Sequence, residues 1–260
     1  MAQYSDYTYQ QMYQLLEELH DKYNREDFIE ADPISIPHSF TDNKDREIAG
    51  FLAATIAWGN RKAIVRSARR MMEYMDFAPY DFVMGATEKD LDTLRSYVHR
   101  TFNGEDFVDF VRALQGVCHR FGTVGNMFET LYCQLGDMAA VLSVARREFF
   151  SVCHNTHCEK HFSSIDKGAA CKRLNMYLRW FVRRDNRGVD FGTWSTIPMS
   201  ALYLPLDLHS GNMGRELGLL TRRQNDWKAT VEITETLKRF CAEDPVKYDF
   251  ALFGAGINSK

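Results

Sequence analysis

Residues 169–184, Ala-Ala-Cys-Lys-Arg-Leu-Asn-Met-Tyr-Leu-Arg-Trp-Phe-Val-Arg-Arg, decide the fold class. At about 100° per residue, this segment separates an apolar face from a stripe rich in basic side chains. The stripe consists of Lys172, Met176, Arg179 and Arg183. We therefore predict an amphipathic helix whose apolar side packs inward and whose basic stripe faces a groove.

The rest of the chain repeats with the same helical period, and no segment alternates as a strand. Helices are predicted over residues 8–24, 88–100, 105–121, 124–133, 137–150, 209–218, 225–241 and 245–256. A core helix through Ile48 and Ile56 should stop at Trp58-Gly59, and Asn60 should cap the next helix. Residues 30–42, which contain two prolines, are predicted to form a loop. The prediction is an all-α fold.

Composition favours a soluble, folded protein, because 45% of the 260 residues are hydrophobic and 26% are charged. The net charge of −3 conceals an uneven distribution. Residues 1–50 carry eleven acidic and four basic side chains, whereas residues 172–187 carry six basic and one acidic. No secretory signal or membrane-spanning run is present, so we expect a cytoplasmic protein without a membrane partner.

A second informative segment is Pro205-Leu206-Asp207-Leu208-His209, which leads into a helix that contains Arg215. An Asp at the start of a helix most often caps it, and a nearby His is most often a surface or capping residue. A carboxylate can also steady positive charge in a reaction to which an amine such as Lys172 contributes the nucleophile. The sequence leaves both interpretations open.

The segment from Cys153 to His161 gathers potential metal ligands. The candidates are Cys153, His157, Cys158 and His161. Their spacing is compatible with zinc, but no second ligand pair occurs elsewhere in the sequence. The alternative is a solvated turn with ordinary thiols, and we predict no metal and no cofactor.

Two ordered motifs give the chain its resemblance to a known family. Gly168-Ala169-Ala170-Cys171-Lys172 matches a hairpin that ends Gly-x-x-x-Lys, and Leu206-Asp207-Leu208-His209 matches the Asp segment that follows it. Over residues 45–256 the chain thereby resembles the helix-hairpin-helix DNA glycosylase superfamily. Its blocks at 171–176, 205–209 and 244–254 resemble an uncharacterised bacterial family similar to archaeal-type 8-oxoguanine glycosylases.

The resemblance implies a single unit of two helical lobes with a cleft between them. Residues of about 60–190 would form the central lobe, and residues 1–50 with 200–260 the second. The implied activity is base-excision repair of a flipped, oxidised purine in double-stranded DNA by a monomer, with AP (β-)lyase chemistry. Lys172 would be the Schiff-base nucleophile, and Asp207 its electrostatic partner.

The resemblance also assigns binding roles. The base pocket would contain Asp249, Phe253, Met176 and Trp58, and the DNA backbone would contact His209, Arg179, Arg183, Asn60, Arg61 and Gly168. Several of these residues have an ordinary alternative, and so does the proposed nucleophile: Lys172 as a solvated cation, Phe253 and Met176 as core, and Trp58 as a plug.

The hairpin departs from the family pattern, because Ala170 replaces its second glycine and Asp166-Lys167 replaces Leu-Pro. Such a hairpin presents backbone N–H groups to a phosphate, so this departure weakens the expected grip on DNA. Two other function classes therefore stay open. One is a nucleic-acid-binding module without chemistry, and the other is a helical enzyme that acts on free nucleosides.

Overall fold

The computed structural model describes residues 7–258, whose regular structure is almost entirely helical. The helices are α1 (Tyr9–Tyr23), α2 (Asp27–Ala31), α3 (Ser35–His38), α4 (Asn43–Thr55), α5 (Arg61–Tyr74), α6 (Pro79–Gly85), α7 (Glu88–Leu94), α8 (Gly104–Phe121), α9 (Val124–Leu135), α10 (Met138–Phe149), α11 (Lys172–Val182), α12 (Leu208–Glu216), α13 (Trp227–Lys238) and α14 (Asp249–Asn258). Short 3-10 helices cover Thr156–His161, Met199–Ala201 and Pro245–Tyr248. Strands β1 (Val98–His99) and β2 (Phe102–Asn103) form one antiparallel hairpin.

The chain divides into two compact units. The terminal unit combines the described residues up to Phe28 with those from Ile165 onward, and the central unit comprises Ile29–Ser164. The boundaries between the two units, after Phe28 and before Ile165, both come earlier in the chain than the lobe boundaries expected from the sequence. Helix α11 consequently belongs to the terminal unit, together with α12, α13 and α14. None of the helices described over residues 7–258 combines the length and the apolar character needed to cross a bilayer.

The core of the terminal unit forms where α1 and α12 pack against α14. Leu16, Met213 and Leu252 are among its buried side chains. Helix α14 approaches its neighbours closely because two of its residues lack a side chain. A Cβ on Gly254 would collide with the Tyr23 ring, and one on Gly256 would lie 2.7 Å from the carbonyl oxygen of His209. The two glycines therefore fix how near α1 and α12 come to α14.

An aromatic core holds the central unit together. The Phe51 ring of α4 lies 5.3 Å from the Phe149 ring of α10, and Phe149 lies 5.0 Å from Phe110 of α8. All three side chains are at most 1% exposed. Such ring pairs contribute stabilising free energy beyond that of the apolar area they bury. These contacts therefore fix α4, α8 and α10 against one another.

Most helix positions agree with the sequence-based prediction. Helices α1, α8, α9 and α10 begin and end within about two residues of the expected limits, which is the usual disagreement between assignments. Asn60 caps α5 as predicted, because its side chain accepts a hydrogen bond of 3.1 Å from the Ala63 backbone. The all-α class is correct for the described residues apart from the small hairpin.

Three local predictions were wrong. The helix expected over residues 88–100 ends at Leu94, and its last predicted residues instead form the β1–β2 hairpin, in whose turn Arg100 has φ of 57°. Residues 30–42 are not a continuous loop, because α2 reaches Ala31 and α3 follows. Pro37 is tolerated in α3 because a first helical turn needs no N–H donor there. Helix α6 was not predicted.

Candidate active site

Lys172 is the first residue of α11 and is half-buried. The preceding residue, Cys171, has left-handed backbone angles and gives the helix no side-chain cap. Across residues 7–258, the Nζ atom of Lys172 makes no hydrogen bond and no ion pair. The amine at this helix start is therefore not held by a neighbouring carboxylate.

Asp207 caps α12, and its two carboxylate oxygens differ in their surroundings. Oδ1 accepts hydrogen bonds from the backbone of His209 at 2.8 Å and of Ser210 at 3.0 Å. The Ser210 hydroxyl lies 3.2 Å from the same oxygen. None of the residues that the structure describes donates to Oδ2. The capping role is confirmed, and it occupies one oxygen while the other receives no donor from the described part of the chain.

Asp249 opens α14 and is buried. The Arg179 guanidinium donates to its Oδ2 atom, and within residues 7–258 nothing hydrogen-bonds to Oδ1. Burial raises the pKa of the Asp249 carboxyl to about 6. Arg179 and Lys172 oppose this rise, and the negative charge of Asp207 adds to it. A carboxyl with this pKa exchanges protons near neutral pH.

Helix starts bring the three candidate residues together. Arg179 of α11 pairs with Asp249, and the His209 ring after Asp207 lies 6.0 Å from the Phe253 ring of α14. The charges of Lys172 and Asp207 both act on the pKa of Asp249. Lys172 begins α11, Asp207 precedes α12 and Asp249 begins α14. The structure thus gathers an amine and two carboxyls from distant parts of the sequence in the terminal unit.

Aromatic and imidazole rings lie next to these three residues along α14. The Phe253 ring, half-buried one turn after Asp249, lies 6.0 Å from the His209 ring and nearly perpendicular to it. Phe28 packs on Phe253 in the same manner at 6.5 Å. Leu208, next to Asp207, is 65% exposed, which is unusual for a leucine. Sequence reasoning missed Leu208, since its helical position alone does not reveal exposure.

The predicted phosphate contacts of Arg179 and Arg183 are wrong. Both guanidinium groups are buried, with 3% and 1% of the side chains exposed. Arg183 pairs with Asp244 at 2.9 Å and with Asp190 at 3.1 Å, and Arg179 contacts Asp190 as well as Asp249. Breaking a buried pair leaves an uncompensated charge, so these arginines hold acidic segments rather than DNA.

Two further predicted site residues, Met176 and Gly168, lie in the terminal unit. Met176 is 6% exposed and lies in the core, which agrees with its ordinary alternative. Gly168 is exposed in a turn, has φ of 77°, and accepts a backbone hydrogen bond of 2.9 Å from Trp227. The element before this turn is the 3-10 helix Thr156–His161 and not an α-helix. Gly168 thus shapes the chain ahead of α11.

Three predicted residues lie in the central unit. Trp58 is half-buried, and its ring stacks on His161 with a centroid distance of 5.6 Å. Asn60 caps α5 and is exposed, while Arg61 begins that helix and is half-buried. Their predicted contacts with a base or with phosphates stay predictions.

The predicted ligand segment brings only two of its four members together. His157 and His161 converge on Asp106 of α8, a residue that the sequence reasoning did not include. Cys153 is exposed and is not part of this cluster. Burial, together with the nearby Asp109 carboxylate, raises the pKa of the Cys158 thiol to about 12, so it stays protonated. Asp106 is also the N3 residue of the α8 capping box, a position that the sequence marks as a cap and not as a ligand.

The chain belongs to the DUF2400 family, described as a protein of unknown function, and the match covers residues 32–258. No curated protein and no solved structure matches it. The matched range contains Lys172, Asp207 and Asp249, and the family description assigns no activity to them.

Proposed function

We propose that this member of the DUF2400 family is a DNA glycosylase with β-lyase activity. One observation carries the proposal: Lys172 and Asp207 both act electrostatically on the buried Asp249 carboxyl, although long stretches of sequence separate the three residues. An amine that pairs with no described residue, in the same unit as two carboxyls, suits a reaction that displaces a base and builds positive charge on a sugar.

In the proposed reaction, the Lys172 amine attacks C1′ of the damaged nucleotide as the N-glycosidic bond breaks. The electron pair of that bond leaves with the base, which takes up a proton. The attacking nitrogen then loses a proton, and its lone pair forms the C=N bond of the Schiff base as the C1′–O4′ bond breaks and O4′ takes up a proton. Abstraction of a C2′ proton then expels the 3′ phosphate. The Oδ2 atom of Asp207, which no described residue engages, stabilises the cationic sugar.

Asp249 and Phe253 are the proposed base-recognition residues. Arg179 holds Oδ2 of Asp249, so Oδ1 can accept from the polar edge of an extruded base. Phe253, one turn later and half-buried, presents a ring on which a base can stack. An oxidised purine is the proposed substrate, a choice that rests on the resemblance to 8-oxoguanine glycosylases.

A second candidate is a nucleic-acid-binding module without catalysis. The turn before α11 favours it, because Ala170 stands where the family has a glycine and a 3-10 helix precedes the turn. This candidate predicts salt-dependent binding of duplex DNA without release of a base.

Base release from synthetic duplexes that carry 8-oxoguanine, uracil or an abasic site separates the candidates. Asn caps a helix as well as Asp does, so Asp207→Asn should keep the fold and lower the release rate at least about a hundredfold. Asp226→Asn is the control at a second helix cap, since the Asp226 side chain accepts from the Ala229 backbone at the start of α13, and it should retain the parental rate. An unchanged rate in Asp207→Asn would overturn the assigned role. Binding by the parent without release from any duplex would favour the second candidate.

A further inference from the structure

A second chemical cluster lies in the central unit, apart from the residues used above. Nδ1 of His157 lies 2.7 Å from Oδ1 of Asp106, and Nε2 of His161 lies 3.3 Å from Oδ2 of the same carboxylate. One ligand atom from each residue falls within 4.8 Å of the others. The 3-10 helix Thr156–His161 supplies both imidazoles, and α8 supplies the carboxylate.

The imidazole of His161 gives an independent reason to consider a ligand. Its side chain is 3% exposed, and Nε2 is buried without a hydrogen bond, because the 3.3 Å contact with Asp106 lacks the required geometry. Trp58 stacks on the ring, and Phe102 packs against it at 4.9 Å. Buried polar atoms are normally hydrogen-bonded, so a nitrogen that faces a carboxylate without good hydrogen-bond geometry is a candidate metal ligand.

We propose that Asp106, His157 and His161 bind one divalent transition-metal ion, with Zn²⁺ the best match to their chemistry. Two imidazoles and one carboxylate suit zinc and neighbouring metals, whereas Mg²⁺ and Ca²⁺ prefer all-oxygen ligands. Tetrahedral bonds of about 2.0–2.2 Å separate ligand atoms by about 3.4 Å. The contact of His161 with Oδ2 of Asp106 already has about this length, whereas that of His157 with Oδ1 is shorter. The ligand atoms lie within 4.8 Å of one another, so the exposed His157 is the side chain that must adjust.

The position of the three side chains defines the kind of site. Asp106 and His161 are buried, but 45% of the His157 side chain is exposed, so the ion would lie at the surface of the unit. Three protein ligands leave a fourth position for water. The ion would fix the 3-10 helix Thr156–His161 to the start of α8. This inference does not depend on the proposed glycosylase activity.

Lys160 should compete with the ion. Its Nζ atom lies 2.7 Å from Nε2 of His157, where it donates, while Nδ1–H of His157 donates to Asp106. A metal on Nδ1 displaces that proton, and the neutral ring then carries its proton on Nε2, where it no longer accepts from Lys160. Removal of this exposed ammonium should therefore tighten binding.

The test uses full-length protein without a histidine tag, stripped with a chelator and titrated with Zn²⁺ by calorimetry. A parallel titration with Co²⁺ records the visible absorption of the ligand field. We expect one ion per chain, with more than about tenfold weaker binding in His161→Gln and His157→Gln. Lys160→Met should bind more tightly than the parent.

His154→Gln is the matched control, because His154 lies in the same segment and is not one of the three ligands. It should bind as the parent does. The exposed His157 also separates loss of a ligand from loss of the fold, which far-ultraviolet circular dichroism of each variant checks. Absence of stoichiometric Zn²⁺ and Co²⁺ binding in the parent would overturn the proposal. Equal affinity in the parent, His157→Gln and His161→Gln would do the same.

Discussion

At the scale of single residues, the Asp207 carboxylate combines two roles that the sequence left as alternatives. Its Oδ1 atom receives the backbone donors of the α12 start, and no described residue engages its Oδ2 atom. A helix cap fixes a carboxylate in position without consuming both oxygens. The same arrangement explains why spacing alone did not distinguish a capping Asp from a functional one.

His20 makes folding sensitive to acid. Its Nε2 atom accepts from Asn24 at 3.0 Å and lies 3.4 Å from the Arg183 guanidinium, so the buried ring is neutral. Burial lowers its pKa to about 4, and the charges of Arg183, Arg187 and Lys247 add to this decrease. The unfolded chain takes up this proton near pH 6.5 and the folded protein does not, so acid removes stability between about pH 6.5 and 4.

As the pH falls over this range, the free energy of unfolding should decrease by about 3 kcal/mol less in His20→Gln than in the parent. Urea denaturation of parent and variant at several pH values measures the difference. Asp249 acts with the opposite sign. Because its pKa is raised in the folded protein, its contribution to stability is present at low pH and is lost as the pH rises toward 6. The comparison must therefore be between variant and parent. Parallel curves would refute the assignment to His20.

At the scale of elements, α14 depends on a glycine to reach α12. A Cβ on Gly256 would lie 2.7 Å from the His209 carbonyl oxygen, so one of the two backbones must shift. We expect Gly256→Ala to lower the free energy of unfolding by about 1–3 kcal/mol. It should also reduce base release, because α14 carries Asp249 and Phe253.

Gly85→Ala is the control for that substitution. A Cβ on Gly85 of α6 meets no atom within 4 Å, and alanine is the better helix former. Denaturant unfolding should show this variant to be as stable as the parent or slightly more stable. Equal effects of the two substitutions would mean that contact with α12 does not limit α14.

Helix positions were predictable because they depend on local signals, whereas the partners of α11 were not. The Asn60 cap and the periodicity of α8 lie within single segments, and both were located correctly. A helical repeat shows which side chains share a face but not what covers it. Arg183 illustrates this limit, because its carboxylate partners Asp190 and Asp244 come from segments outside the helix. The supposed basic groove is for that reason a buried ion-pair network.

The candidate site was predictable in part for the same reason. Lys172, Asp207 and Asp249 were selected by ordered motifs, and all three lie in the terminal unit, where the charges of the first two act on the pKa of the third. The cluster around Asp106 was not, since one ligand lies on α8 and two follow much later in the chain. Contacts between distant segments arise from packing that a pattern of residue types does not encode.

At the scale of the whole molecule, charge distribution matters more than the net value of −3. Lys62 and Arg66 project from α5, are exposed and form no ion pair with any residue between 7 and 258. If they contact DNA phosphates, the negative slope of log affinity against log salt should become shallower by about 2 in the double variant Lys62→Gln/Arg66→Gln. Fluorescence anisotropy over a range of salt concentrations measures this slope.

The matched control changes the charge equally at paired positions. Arg112 contacts Glu88 at 2.6 Å and Lys238 contacts Glu235 at 2.7 Å, so Arg112→Gln/Lys238→Gln should leave the slope close to that of the parent. An equal decrease in both double variants would show that net charge, rather than the face of α5, governs binding.

The central claim is that Lys172 is the nucleophile of a DNA glycosylase, and borohydride trapping tests it most directly. The protein is incubated with a duplex that carries 8-oxoguanine or an abasic site, and sodium borohydride reduces any Schiff base to a stable adduct. The parent and Lys228→Gln, which alters an exposed lysine near the start of α13, should both form the adduct. Lys172→Gln, with its fold intact, should form none. An adduct that persists in Lys172→Gln, or a parent that forms none, would contradict the claim.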